Sequence, residues 1–196
     1  RKRGVTGLRI TSLIENTSNN KDWKAEHGLS LYLETEQRKI LFDTGASAAF
    51  AENAVKMGVD LAEVDLMILS HGHYDHGGGL KIFLEQNRNA RVYMHRDAFG
   101  EYYSNKPNGE KKYIGLDRNL LPNSRFCFTE ENMPLNDELL LFSGVNGEQF
   151  RPSGNEALLV KTKDGYRQDD FVHEQNLLLR ENGKMILVAG CAHMGI

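Results

Sequence analysis

Apolar positions in the first third of the chain fall in short runs of strand length. Leu8 to Ile14, Leu29 to Leu33 and Lys39-Ile40-Leu41-Phe42 alternate or run apolar, and the last two flank the polar stretch Glu34 to Arg38. That pattern predicts an antiparallel opening. Gly45 introduces Ala46 to Met57, where Phe50, Ala54 and Met57 recur at helical spacing before Gly58 closes a helix. A buried strand at Asp65 to Leu69, a polar turn, a helix from Gly79 to Asn87 and a strand at Arg91 to Met94 follow. Strand and helix alternate here, so βαβ crossovers are expected, with a site at the C-terminal ends of the strands.

From Phe99 to Asn123 the periodicity is lost, and Tyr102, Tyr103, Lys106, Pro107, Asn108, Gly109, Lys111, Lys112, Tyr113 and Arg118 accumulate. The expectation is a long surface loop, a length that in compact domains usually marks a functional lid. Short strands are predicted at Phe126 to Phe128, Leu139 to Phe142 and Ala157 to Lys161. Leu177 to Arg180 and Met185 to Val188 flank Glu181-Asn182-Gly183-Lys184, whose Asn-Gly pair signals a tight hairpin. The hairpin delivers Gly190-Cys191-Ala192-His193 to a strand end.

Composition narrows the function. The 196 residues, 40% hydrophobic and 26% charged, suffice for one domain spanning 1–196 with a sizeable core. A formal charge of −3 leaves no basic footprint for nucleic acid. No apolar stretch is long enough for a membrane span, and Arg1-Lys2-Arg3-Gly4 lacks the apolar segment of a signal peptide, so a cytoplasmic protein without a membrane partner is expected. Cys127 and Cys191 are too few for a disulfide framework and are expected to be small buried hydrophobes.

The chemistry concentrates in Ser70-His71-Gly72-His73-Tyr74-Asp75-His76, directly after Leu66-Met67-Ile68-Leu69. Imidazoles and a carboxylate at this density suit zinc first, with iron or manganese also compatible. His71 and His73 lie two apart, so in extended backbone both side chains leave one side and can share an ion. His193 is the natural third ligand, the alternative being a hydrogen-bonded strand-end histidine. Three neutral imidazoles leave the fourth tetrahedral position open, as in catalytic zinc sites. Asp75 and His76 offer ligands for a second ion, so one or two divalent ions are expected, with metal-assisted hydrolysis or a related transfer on a small-molecule substrate.

The H-x-H-x-D-H turn, with Phe42-Asp43-Thr44-Gly45 upstream and Gly190-Cys191-Ala192-His193 downstream, resembles the metallo-β-lactamase superfamily. Together with Glu26-His27-Gly28-Leu29-Ser30, Gly77-Gly78-Gly79-Leu80 and Met194-Gly195-Ile196, it is similar to a branch of metal-dependent hydrolases. That branch includes the 7,8-dihydropterin-6-methyl-4-(β-D-ribofuranosyl)aminobenzene 5′-phosphate synthases. The resemblance implies an α/β fold, an αββα sandwich with a metal site along its open edge. It also implies that His71, His73 and His193 hold the first ion, Asp75 and His76 the second, and that Asp43 braces the ligand turn. Asp75 is further expected to accept a proton or steer the attacking water. A turn-forming role before Thr44-Gly45 is the alternative for Asp43.

In the superfamily a bridging carboxylate and a last histidine follow the position of His193, whereas this chain ends at Ile196. The expectation is a fold lacking the C-terminal part of its second half, with one sheet face partly uncovered and open to partner association, a homo-oligomer included. Asp169, Asp170 and His173 are possible replacements, with a solvated polar turn as the favoured reading. Lys106, Lys111, Lys112 and Tyr113 are candidate substrate-binding residues, weighed against a solvated loop; His27 is another, weighed against a hydrogen-bonded histidine at a strand start; and Trp23 is a candidate for the cleft mouth, with partial core burial as the alternative. His95 is expected to be structural. The rivals to hydrolysis of a phosphorylated or heterocyclic substrate are a non-catalytic metal or ligand sensor and, among enzymes, phosphodiesterase, thioesterase or lactonase chemistry.

Overall fold

The computed structural model describes residues 7–147 and 151–196, so the basic start Arg1 to Gly4 lies outside it. Its strands are β1 (Arg9–Ile14), β2 (Ser30–Glu34), β3 (Lys39–Phe42), β4 (Leu66–Ile68), β5 (Arg91–His95), β6 (Tyr102–Asn105), β7 (Lys111–Tyr113), β8 (Phe126–Thr129), β9 (Asn132–Pro134), β10 (Leu139–Ser143), β11 (Leu158–Thr162), β12 (Gly165–Gln168), β13 (Gln175–Glu181) and β14 (Lys184–Val188). The α-helices are α1 (Ala49–Lys56), α2 (Tyr74–Gly77) and α3 (Leu80–Gln86).

Side-chain alternation in β3 and β4 builds the layers. Leu41, Met67 and Leu69 enter one core with Phe50 and Ala54 of α1 and Leu80 and Phe83 of α3. Ile40, Phe42, Leu66 and Ile68 enter another, against Leu139, Leu141, Leu177 and Leu179. Burial on both faces is what parallel strands require, and each fully buried Phe contributes about 1.5–3 kcal/mol. The first sheet has the order β1-β2-β3-β4-β5-β8. It opens antiparallel through β1, β2 and β3 and continues parallel through β4, β5 and β8. The helix α1 connects β3 to β4, and α2 and α3 connect β4 to β5, forming the crossovers the alternation predicts.

The second sheet, β14-β13-β10-β9, is antiparallel and packs on the first. Its β13–β14 turn places Asn182 at φ 50° and Gly183 at φ 74°, two positive values that suit a two-residue hairpin. Helix, sheet and sheet thus form three layers of the sandwich. On the outer face of the second sheet Met185 and Leu187 are 62% and 42% exposed, and no helix among the described residues covers them. Among the described residues no helix is long and apolar enough to cross a membrane.

A third sheet, β12-β11-β6-β7, departs from expectation. The segment predicted as a loop from Phe99 to Asn123 contains the hairpin β6–β7, paired Tyr103↔Tyr113 and Asn105↔Lys111. Its strands carry tyrosine, serine, asparagine and lysine instead of aliphatic residues, so hydrophobic alternation does not mark them. The short polar strands β9 and β12 escape prediction for the same reason. The first helix begins at Ala49, later than expected, because Ala46 and Ser47 instead donate their backbone N–H groups to Glu26 Oε1.

Candidate metal centre

Three strand ends supply the site. Asp43 follows β3 at φ 60°, a left-handed conformation that a non-glycine residue adopts at a cost and that here buries its carboxylate completely. Asp43 Oδ1 accepts the Ser70 N–H at 2.7 Å, and Oδ2 accepts from Ser70 Oγ at 2.7 Å and His76 Nδ1 at 2.6 Å. With the Ser70 hydroxyl proton committed to the carboxylate, Ser70 Oγ accepts from His71 Nδ1 at 2.8 Å. One carboxylate therefore fixes the rings of His71, three residues beyond β4, and of His76 in α2, with each Nδ1 turned to the brace and each Nε2 turned away from it.

His193, beyond β14, is oriented by a residue that the sequence pattern did not reveal. Asn155 Oδ1 accepts from His193 Nδ1 at 2.8 Å, while Asn155 Nδ2 donates to the His193 carbonyl at 2.7 Å. Glu174 accepts the backbone N–H groups of His193 and Met194 at 2.8 and 3.0 Å, and Phe171 stacks on the His193 ring at 4.4 Å. Ring centroids of His71, His73 and His193 lie 4.6–5.2 Å apart. The Nε2 atoms of all three are buried without a hydrogen-bond partner. Three buried, unpartnered imidazole nitrogens would each cost free energy without a ligand, so these residues fit a divalent cation; by ligand-atom spacing His71 and His193 group with Cys191, and His73 groups with Asp169 and His173.

The structure also gathers groups read differently from sequence. Cys191, expected to be buried, is exposed, and its Sγ lies 3.1 Å from His76 Nε2. Its ligand atom lies within 4.8 Å of those of His71 and His193, and likewise of those of Asp75 and His76. Cys127 is half-buried beside Arg91 Nη1. Asp169 and His173 are not a solvated turn: both are buried, 3.1 Å apart, and Asp169 Oδ2 is 3.8 Å from His73 Nε2. His173 Nδ1 accepts the Gly72 N–H at 2.9 Å, which anchors the backbone between His71 and His73. Asp170 is exposed and pairs with Arg167. His95 Nδ1 accepts the Asp97 N–H, a local structural bond.

A cavity of about 230 Å³ opens beside these groups, lined by His27, Lys106, Lys112, Asp75, Cys191 and His193 among others. His27 Nε2 sits 3.4 Å from Asp75 Oδ2 at its rim. Lys111 and Tyr113, expected at the substrate, belong elsewhere: Lys111 lies over the Tyr166 ring and the Tyr113 hydroxyl donates to the Leu116 carbonyl. Both occupy the opposite face of their strand. Trp23 is 41% exposed and does not line the cavity.

Gly28, at φ 135°, lets β2 approach the ligand turn, since a Cβ there would lie 2.0 Å from the Asp75 carbonyl oxygen. Gly28→Ala is expected to displace Asp75 and destabilise the fold by about 1–3 kcal/mol, measured as a fall in the urea midpoint. An unchanged midpoint would show that the backbone yields there.

Burial, reinforced by the neighbouring imidazoles, pushes His71 well below its ordinary 6.5 and His193 down to about 3. Burial also lowers His173. Burial opposes charge on His76 as well, but the Asp43 carboxylate outweighs it and holds that imidazole well above 6.5. Below about 6.5 the unfolded chain therefore binds protons that folded His71 and His193 refuse, while His76 is protonated in both states. Their stabilising contribution, intact above about 6.5, is expected to fall as pH drops toward about 3. Urea denaturation of chelator-treated protein across that window checks this, and His71→Ala should flatten the slope.

Residues 23–158 match the model of the metallo-beta-lactamase superfamily. The chain is 32% identical to an uncharacterized protein, MJ0448, of Methanocaldococcus jannaschii over 192 residues, covering 95% of this chain and 70% of that one. It is 26% identical, over 98% of its length and 70% of the relative's, to the 7,8-dihydropterin-6-methyl-4-(β-D-ribofuranosyl)-aminobenzene-5′-phosphate synthase of the same organism. Among solved structures it is similar to Tm1679, a metal-dependent hydrolase of the β-lactamase superfamily, with TM-score 0.77, 30% identity, and coverage of 96% of this chain and 67% of that one.

Proposed function

The chain belongs to the metallo-β-lactamase superfamily, and from that premise we propose that it is a metal-dependent hydrolase of a small phosphorylated or heterocyclic substrate. The observation that carries the proposal is the trio of buried, unpartnered Nε2 atoms on His71, His73 and His193. These three residues would hold a first divalent ion, zinc being the best match to neutral imidazoles. Asp75, His76 and Cys191, whose ligand atoms lie within 4.8 Å of one another, would hold a second. Bound ions supply Lewis-acid polarisation and activation of water at neutral pH.

The protein's own groups do the rest. Asp43, through Ser70, keeps the His71 ring aimed inward, and Asn155 does the same for His193. The Asp75 carboxylate, which lines the cavity, would accept a proton from water. His27 stands at the rim beside that carboxylate, its Nε2 3.4 Å from Asp75 Oδ2. A pterin-linked condensation is the second reading, supported by the similarity to the phosphate synthase. Failure to bind any reduced pterin would count against it.

The test is a panel of ester, thioester, lactone and phosphodiester substrates offered to zinc-loaded and chelated protein. The proposal expects turnover on at least one class, lost on chelation and restored by zinc. No turnover on any class by the loaded protein would favour a binding or sensing role.

A further inference from the structure

We propose that the hairpin β6–β7 builds an anion subsite for a phosphoryl group at the mouth of the metal centre, with Lys106 and Lys112 as its cationic ligands and Ser104 as a hydroxyl donor. The inference rests on the hydrolase reading for its place in the reaction, though not for its geometry. Register provides the first argument. Ser104 pairs directly with Lys112, and side chains two residues apart in a strand share a face. The ladder continues past both strand ends through Lys106 N–H to the Glu110 carbonyl and Ile114 N–H to the Tyr102 carbonyl, each at 2.8 Å. Tyr102, Ser104, Lys106, Lys112 and Ile114 therefore face one way.

That face is the one turned to the site. Tyr102 packs against His173 with ring centroids 3.9 Å apart, and Ser104, Lys106, Lys112 and Ile114 all line the cavity shared with His73 and His193. The other face is occupied by its own contacts, Tyr103 against Tyr113 and Tyr166, and Lys111 over Tyr166. Charge provides the second argument. Among the described residues neither Lys106 nor Lys112 forms an ion pair, and Lys112 Nζ instead lies 5.8 Å from the Tyr74 ring centre. The carboxylate lining the cavity, Asp75, is committed to the metal centre in the reading above. Two unpaired ammonium groups and a hydroxyl supply point charges and a donor for a doubly charged tetrahedral anion, the manner in which lysine commonly binds phosphate. Ile114 and Leu158 add an apolar wall for the body that carries the phosphoryl group.

Calorimetric titration of the purified protein with inorganic phosphate tests the subsite, alongside Lys106→Ala, Lys112→Ala, the double variant and Lys111→Ala. Each single inward substitution should weaken binding about three- to tenfold and the double variant by more than about tenfold, while Lys111→Ala leaves it unchanged. The lysines are exposed, so melting temperatures should match. Equal affinity in wild type and double variant, or an equal loss in Lys111→Ala, overturns the proposal. Metal content of the same samples separates the two readings. Lysine-dependent phosphate binding by a protein that takes up no metal would sink the hydrolase reading and keep the subsite. Metal-loaded protein whose phosphate affinity ignores both lysines would do the reverse.

Discussion

His71→Ala is expected to remove the first ion and reduce hydrolysis to background, because the substitution deletes one of three clustered imidazole donors. The loss of metal affinity should exceed the about 10–100-fold that follows loss of an outer hydrogen-bonding partner. Folding separates this ligand role from a packing role. In the chelated protein the substitution removes a buried, unsatisfied Nε2, which relieves a cost of about 1–3 kcal/mol, while losing the Nδ1 bond to Ser70 Oγ and opening a small cavity. These effects oppose each other, so chelated wild type and variant should melt at similar temperatures. With metal at about a thousand times its dissociation constant, wild type should gain about 4 kcal/mol that the variant does not. A large destabilisation of the chelated variant would show that His71 serves packing.

Asp43→Ala should act on both stability and metal binding. The carboxylate is fully buried and receives the Ser70 N–H, the Ser70 hydroxyl and His76 Nδ1. Its removal strands a buried imidazole whose charge it supports. Breaking a buried pair from one side costs about 3–5 kcal/mol, read as a lower urea midpoint. The rings of His71 and His76 would lose their common brace, so both ion positions should weaken by about 10–100-fold. Asp43→Asn preserves volume and can still accept from Ser70, so it should recover part of the stability. If Asp43→Ala left metal affinity unchanged, the bracing role would fall.

The parts of the molecule legible in the sequence are those where packing repeats. Ile40, Leu41, Phe42 and Leu66 to Leu69 are apolar because both faces of β3 and β4 are covered, and Asn182-Gly183 announces its turn through the backbone conformation it must adopt. The ligand turn was visible because His71, His73, Asp75 and His76 are adjacent in sequence as well as in space. What escaped has no local signature. Asn155 and Glu174 reach His193 from different segments, and nothing around either residue distinguishes it from a surface polar group. Cys191 could be given a place only when β14 set it beside His76, 115 residues away in sequence. Asp169 and His173 read as a polar turn because their burial depends on Tyr102 and Gly72, both distant along the chain. The hairpin β6–β7 was concealed by its chemistry, since a strand that faces a polar site on one side and tyrosines on the other lacks the usual hydrophobic alternation.

The central claim is that the buried Nε2 atoms of His71, His73 and His193 are lone-pair donors to a metal. Elemental analysis of protein purified without chelators, before and after dialysis against zinc, tests it most directly. The account predicts at least one tightly held divalent ion per chain, rising toward two on zinc loading, with the tight ion absent from His71→Ala and from His193→Ala. Wild-type protein that retains no divalent metal after zinc loading would contradict it.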